Sequence, residues 1–117
     1  MSTSTTIYKI ADAGEFAEAQ AEGIYAGAPL DLQDGFIHFS TAGQLSETLR
    51  LHFRGRSGLV LAAVATAGLG DRLRWEPSRG GALFPHLYGT LEMSSVLWTE
   101  GIDVDADGNC RLPDRLG

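Results

Sequence analysis

Three histidines, His38, His52 and His86, are the residues of this chain best suited to proton exchange near neutral pH. His38 stands in DGFIHFST, residues 34–41. If FIHF is extended, Phe36 and His38 share one face and Ile37 and Phe39 the other. Such an imidazole is either a satisfied core residue or a placed reagent. Ser40 and Thr41 follow at what reads as a helix start, where free backbone N–H groups favour an anion or hydroxyl. His86 lies in FPHLYG, with Tyr88 two residues on, so an extended chain points both the same way. That pair suits ribose or phosphate binding, or proton transfer; the plainer alternative is an aromatic loop covering the core.

Glu76 in LRWEPS follows Trp75. A carboxylate desolvated by an indole would have a raised pKa and suit acid–base work, whereas a surface glutamate would pair with Arg72, Arg74 or Arg79. Gly80-Gly81 would let backbone approach a ligand, or let a lid move. His52 reads as a residue at the end of a helix. No HxH or HxxxH spacing signals zinc, so no metal is expected. Asp103, Asp105, Asp107 and Gly108 match the first half of a calcium loop, but Asp114 replaces the closing Glu and Pro113 precedes it, so an acidic hairpin tip explains them as well. Cys110 reads as structural.

The elements that must position these residues start with IYKI (7–10), a strand. Asp12 and Glu15 form a capping-box pattern opening an alanine-rich helix that Gly23 ends. Residues 24–34 show no period and read as a loop, and FIHF reads as a strand. Thr41 and Gln44 form a second box, opening a helix with Leu45, Leu49 and Phe53 on one face. LVLAAVA (59–65) fits a strand buried on both faces. GLGDRLRWEPSRGGALFPHLYG is glycine- and proline-rich and reads as irregular loops. TLEMSSVLW reads as one strand, and IDVDADGNCRL as a hairpin turning at Asp107-Gly108. The expectation is one α+β domain over 1–117, with two early helices, a largely antiparallel sheet, and residues 1–6 as a flexible extension.

With 117 residues, 44% of them hydrophobic, the chain can bury a core without staples. One cysteine excludes an internal disulfide and suits a reducing compartment. MSTSTT lacks the features of a signal peptide, and no apolar run is long enough to span a bilayer, so a soluble cytoplasmic protein without a membrane partner is expected. The net charge of −6 argues against an extended nucleic-acid partner. Lys9 is the lone cation before Arg50, whereas residues 50–79 are locally basic and could meet a small anionic ligand.

DGFIHFST, LRWEPS and GGALFPHLYG, in that order, resemble a bacterial and plant family, domain-of-unknown-function family 952, over nearly the whole chain. That family has been grouped by fold with ADP-ribosyltransferases and RNA 2′-phosphotransferases. The resemblance implies a split, antiparallel-rich sheet with a cleft for NAD or an ADP-ribose-like group, NAD being a substrate and no cofactor required. It implies that His38, with Ser40 and Thr41, holds ribose and adenylate, and that Tyr88 or Trp75 stacks on nicotinamide. The late Glu-x-Glu or Gln-x-Glu of those enzymes is missing: Glu92 and Glu100 lack the pattern and Glu76 lies in another loop. Arg72, Arg74 or Arg79 would then grip phosphate, as basic residues do in the phosphotransferases. The expected site is Glu76 and His86 as catalytic groups, with His38, Ser40, Thr41, Arg74, Trp75 and Tyr88 binding a small nucleotide. Transferase turnover stays open against a binding module that only holds its ligand, or a hydrolase using His38 and His86 on a phosphoester.

Overall fold

The computed structural model describes residues 5–78, 81–114 and 116. Strand β1 (Thr6–Asp12) runs into helix α1 (Ala13–Glu22) at Asp12, whose carboxylate accepts from the Glu15 N–H at 3.0 Å. This satisfies one of the N–H groups that a helix start leaves free. Gly23 ends the helix at φ 89°, a left-handed position that only glycine takes at no steric cost. Thr5, in the segment expected to be an extension, accepts the Thr66 N–H through its carbonyl.

Residues 24–34, expected to be a loop, hold strand β2 (Ile24–Tyr25) and helix α2 (Pro29–Asp34). Pro29 at the first helical turn and Asp31, bonded to the Ala28 N–H at 2.7 Å, start α2. Leu30 and Leu32 are exposed, so no apolar period marked the helix. The molecule thus has three α-helices among its described residues where two were expected. Strand β3 (Ile37–His38) follows, then the Thr41 box: the Thr41 N–H donates to Gln44 Oε1 at 3.0 Å, a short 3-10 turn spans Ala42–Gln44, and α3 (Leu45–His52) continues from it. Leu45 and Leu49 are fully buried, and truncating either to alanine would cost about 2–5 kcal/mol. His52 is the last residue of α3, as its spacing suggested.

The run expected to be irregular is an antiparallel hairpin, β5 (Leu73–Pro77) and β6 (Leu83–Leu87). Its described glycines lie outside the two strands, and Pro77 and Pro85 do not prevent pairing. Arg79 and Gly80 lie outside the described residues. TLEMSSVLW is likewise two strands, β7 (Leu91–Glu92) and β8 (Val96–Ile102), separated by a 3-10 turn over Met93–Ser95. The hairpin after β8 turns as expected, with the Gly108 N–H donating to the Asp105 carbonyl. Asp105 Oδ1 accepts the Asp107 and Asn109 N–H groups, and Asp103 caps the Gly58 N–H. These acids therefore order the tip, and no metal-holding group occurs among the described residues. Cys110 lies at an isolated bridge to Val104, half-buried, and burial beside Asp103 and Asp105 pushes its thiol up.

All described strand pairing is antiparallel, in an α+β arrangement. One sheet has the order β1-β4-β8, a second β3-β6-β5, and β2 pairs β7. Tyr8 and Ser40 exchange backbone bonds of 2.8 and 2.9 Å, joining the first two sheets at the end of β3. β4 (Leu59–Ala65) is central and covered on both faces, as its unbroken apolar run suggested. Ala62 and Val64 face Ile7, Phe16, Ile37, Phe39 and Leu87, whereas Leu59, Leu61 and Ala63 face Leu45, Leu49 and Ile102. In the first core Tyr25 packs against Phe16, ring centres 5.1 Å apart, and its buried hydroxyl has no hydrogen-bond partner among the described residues. No described helix is long and apolar enough to cross a membrane.

Candidate functional site

The β3-β6-β5 sheet sorts its side chains by alternation. Ile37, Phe39 and Leu87 are buried in the first core, with Leu73 and Trp75 packed against them. The other face carries Phe36 and His38 from the β3 region, Arg74 and Glu76 from β5, and His86 and Tyr88 from β6 and its end. His38, Glu76, His86, Arg74 and Tyr88 are thereby brought together. Trp75 is a correction to the expected site: it packs on the opposite, core-facing side, so it cannot stack on a ligand held at the histidine face.

His38 and His86 are direct partners in the ladder, with ring centres 5.5 Å apart at 71°. Each Nδ1 meets a carboxylate. Asp31 Oδ1 lies 2.6 Å from His38 Nδ1, and Glu76 Oε1 lies 2.7 Å from His86 Nδ1. Such a carboxylate fixes the ring and places a proton on Nδ1. For His86 this leaves Nε2 able to accept a proton in the neutral ring. His38 also has Asp34 Oδ2 at 3.0 Å from Nε2, so satisfying both carboxylates requires the doubly protonated ring. Phe36 stacks on His86 at 4.1 Å and contacts His38 and Tyr88 at 4.7 and 5.2 Å, a central role that its place in the sequence did not announce.

Beneath His38 is a polar cluster that sequence reasoning missed. Asp31 is 3% exposed and accepts from Lys9 Nζ at 2.8 Å, Ala28 N at 2.7 Å, His38 N at 3.1 Å and His38 Nδ1. Burial pushes its carboxyl up, but the His38 hydrogen bond, the Lys9 charge and the Ala28 N–H together outweigh this and hold it well below the usual carboxylate range. Lys9, 5% exposed, also donates to the His38 carbonyl at 3.1 Å, so one ammonium braces both the carboxylate and the strand. The available signal was a lone lysine inside an otherwise apolar strand, since a charge is not buried there without a partner. Gly27, at φ 117°, lies so close that an added Cβ would stand 2.8 Å from Asp31 Cβ.

Glu76 does not behave as its neighbour Trp75 suggested. The two side chains leave β5 on opposite faces, so the carboxylate escapes the indole. It accepts instead from His86 and, at 2.8 Å, from the Tyr88 hydroxyl. These two bonds, aided by the Arg74 charge, hold its carboxyl below the usual range, the reverse of what desolvation by an indole would give. The same bond raises the Tyr88 phenol, and the Arg74 guanidinium lies 5.2 Å from the Tyr88 ring centre.

Ser40 and Thr41 are turned to other work. Ser40 is buried in the Tyr8 bridge, with Oγ 3.3 Å from Thr48 Oγ1, and the Thr41 N–H is taken by Gln44. The Thr41 N–H beside His38 is therefore capped from within, and the buried Ser40 hydroxyl is directed to Thr48. Arg72 donates to the Thr90 carbonyl at 2.9 Å.

The model of the family described as "Protein of unknown function (DUF952)" matches residues 10–99. The chain is also similar to protein CC0527 from Caulobacter crescentus. The crystal structure of that protein is 49% identical, with a TM-score of 0.88, and the match covers 96% of this chain and 98% of that one. Its solution NMR structure is 50% identical over 90% of each chain, with a TM-score of 0.78. No curated protein matches. A family match over most of the chain, with the same fold in a relative of near 50% identity, makes this chain a member of the DUF952 family.

Proposed function

We propose that this protein binds a small nucleotide-type ligand on the His38–His86 face and exchanges protons with its phosphate or ribose. The observation that carries the reading is the opposed imidazole pair, 5.5 Å apart, each Nδ1 held by its own carboxylate. One ring rich in donated protons beside one with an acceptor nitrogen is what general acid–base catalysis needs. Tyr88 and Phe36 offer apolar surface to a base or ribose, and Arg74 offers a charge to phosphate. The two joined antiparallel sheets agree in outline with the split sheet implied by the resemblance to ADP-ribosyltransferases, a likeness of fold that does not establish activity.

Within that class the arrangement favours phosphoester chemistry over ADP-ribosyl transfer. Glu76 is engaged by His86 and Tyr88, and the late glutamates Glu92 and Glu100 lie on β7 and β8, outside the sheet that carries the histidines. In hydrolysis, water's oxygen would bond to phosphorus as its proton passes to His86 Nε2. The ester P–O bond would break, and the leaving oxygen would take the Nε2 proton of His38.

The test is thermal unfolding of the full chain with millimolar NAD, ADP-ribose and AMP, followed by phosphorus NMR of each mixture. A rise in Tm abolished by His38→Ala supports the site, and product lost in His86→Ala supports the chemistry. Binding without product would leave a binding module. No shift with any of the three ligands overturns the nucleotide reading.

A further inference from the structure

We infer that Asp34 is a built-in competitor for the ligand: its carboxylate occupies, on His38 Nε2, the donor position that an anionic group of the substrate takes over. The inference deepens the proposed function and rests on it for the class of ligand. The two carboxylates on His38 differ in kind. Asp31 is buried, takes four donors and stands 2.6 Å from Nδ1, so nothing from solvent can replace it. Asp34 is 37% exposed and stands 3.0 Å from Nε2 at the last residue of α2. Gly35 turns the chain there at φ 87°, which brings Asp34 back onto the ring four residues on.

Nε2 is thus the nitrogen that can open, and a released Asp34 returns to water at little cost, since exposed ion pairs are weak. Asp34 competes twice. Bound, it fills the donor; released, its charge stays near the incoming anion and repels it. A neutral hydroxyl is too weak an acceptor to displace a carboxylate from a protonated imidazole, whereas a phosphate oxygen is a charge-assisted partner of equal strength. The device would therefore select phosphate-bearing ligands over neutral sugars. Arg74 stands on the same face, as the ladder partner of His86, to receive a further oxygen.

The experiment titrates inorganic phosphate and AMP into wild type, Asp34→Asn, Asp34→Ala and Asp34→Glu, following the His38 ring by nitrogen-15 NMR. The expected result is phosphate binding at least five-fold tighter in the Asn and Ala variants, with the His38 Nε2 signal moving, and near wild-type affinity in Asp34→Glu. Equal or weaker phosphate binding in both Asn and Ala variants overturns the inference, because Asp34 then only positions the ring. If AMP binds no variant but phosphate tightens as expected, the nucleotide reading falls and the competitor stands. If AMP and phosphate bind wild type and all variants equally, the competitor falls and the nucleotide reading stands. If neither anion binds any variant, both fall.

Discussion

Glu76 Oε1 accepts at once from His86 Nδ1 at 2.7 Å and from the Tyr88 hydroxyl at 2.8 Å, so one carboxylate oxygen orients an imidazole and a phenol together. The exposed Tyr88 bond reports on the buried one. In Glu76→Ala the phenol loses the acceptor that stabilises its neutral form, and its titration, followed by ultraviolet absorbance, should move down towards the ordinary tyrosine value of about 10. In the same variant the neutral His86 ring should lose its preference for the Nδ1–H form in nitrogen-15 spectra. An unchanged Tyr88 titration would show that the bond is not made in solution.

Asp31 should dominate the acid stability of the fold. Its folded pKa is depressed below the unfolded value, so its contribution is complete above the unfolded value of about 3.9 and is lost as pH falls towards the folded one. Lys9→Met leaves the buried carboxylate without its cation and should cost roughly 3–5 kcal/mol at pH 7 by urea unfolding. The gap between wild type and Asp31→Asn should narrow steadily below pH 4; a constant gap would remove Asp31 from this role.

Tyr25→Phe should leave the fold unchanged and stabilise it by about 1 kcal/mol, because the buried hydroxyl lacks a partner among the described residues. The Phe16 ring contact survives the substitution. A loss of stability in urea would reveal a bond to that hydroxyl.

Gly27→Ala meets two penalties: a backbone at φ 117° that an L side chain resists, and a methyl 2.8 Å from Asp31 Cβ. The expected cost is about 1–3 kcal/mol. Gly23→Ala has only the backbone penalty, as no atom lies within 4 Å of its added methyl, and should cost less. Equal losses in urea unfolding would show that the contact with Asp31 is relaxed freely.

Where the sequence carried a period or a cap, it was readable. LVLAAVA is the central strand, the Asp12 cap and the Thr41–Gln44 bond start helical turns, and Asp107-Gly108 lies in a turn. Alternation in FIHF and FPHLYG also placed His38, His86 and Tyr88 correctly relative to their neighbours. What failed was long-range. The β5–β6 pairing is stabilised across the ladder, so its glycines and prolines misled a local reading. Neither desolvation by Trp75 nor a plain arginine pair describes Glu76. The pleat separates it from Trp75, and its two hydrogen-bond partners, His86 and Tyr88, come from the neighbouring strand and its end. Lys9 and Asp31 stand 22 residues apart, and only the folded chain shows that each makes the other tolerable in the core.

Neighbouring residues 39 and 40 belong to different ladders, with the Phe39 N–H donating to Pro85 on one side and the Ser40 N–H to Tyr8 on the other. The strand that carries Lys9 therefore sets the height of His38 twice, through the ammonium at its carbonyl and through this backbone splice two residues later. Alignment of the two imidazoles is thus a property of β1, which contributes no side chain to the reactive face. A slip of β1 by one residue would bury the wrong side chains and, in the same movement, put the histidine pair out of register.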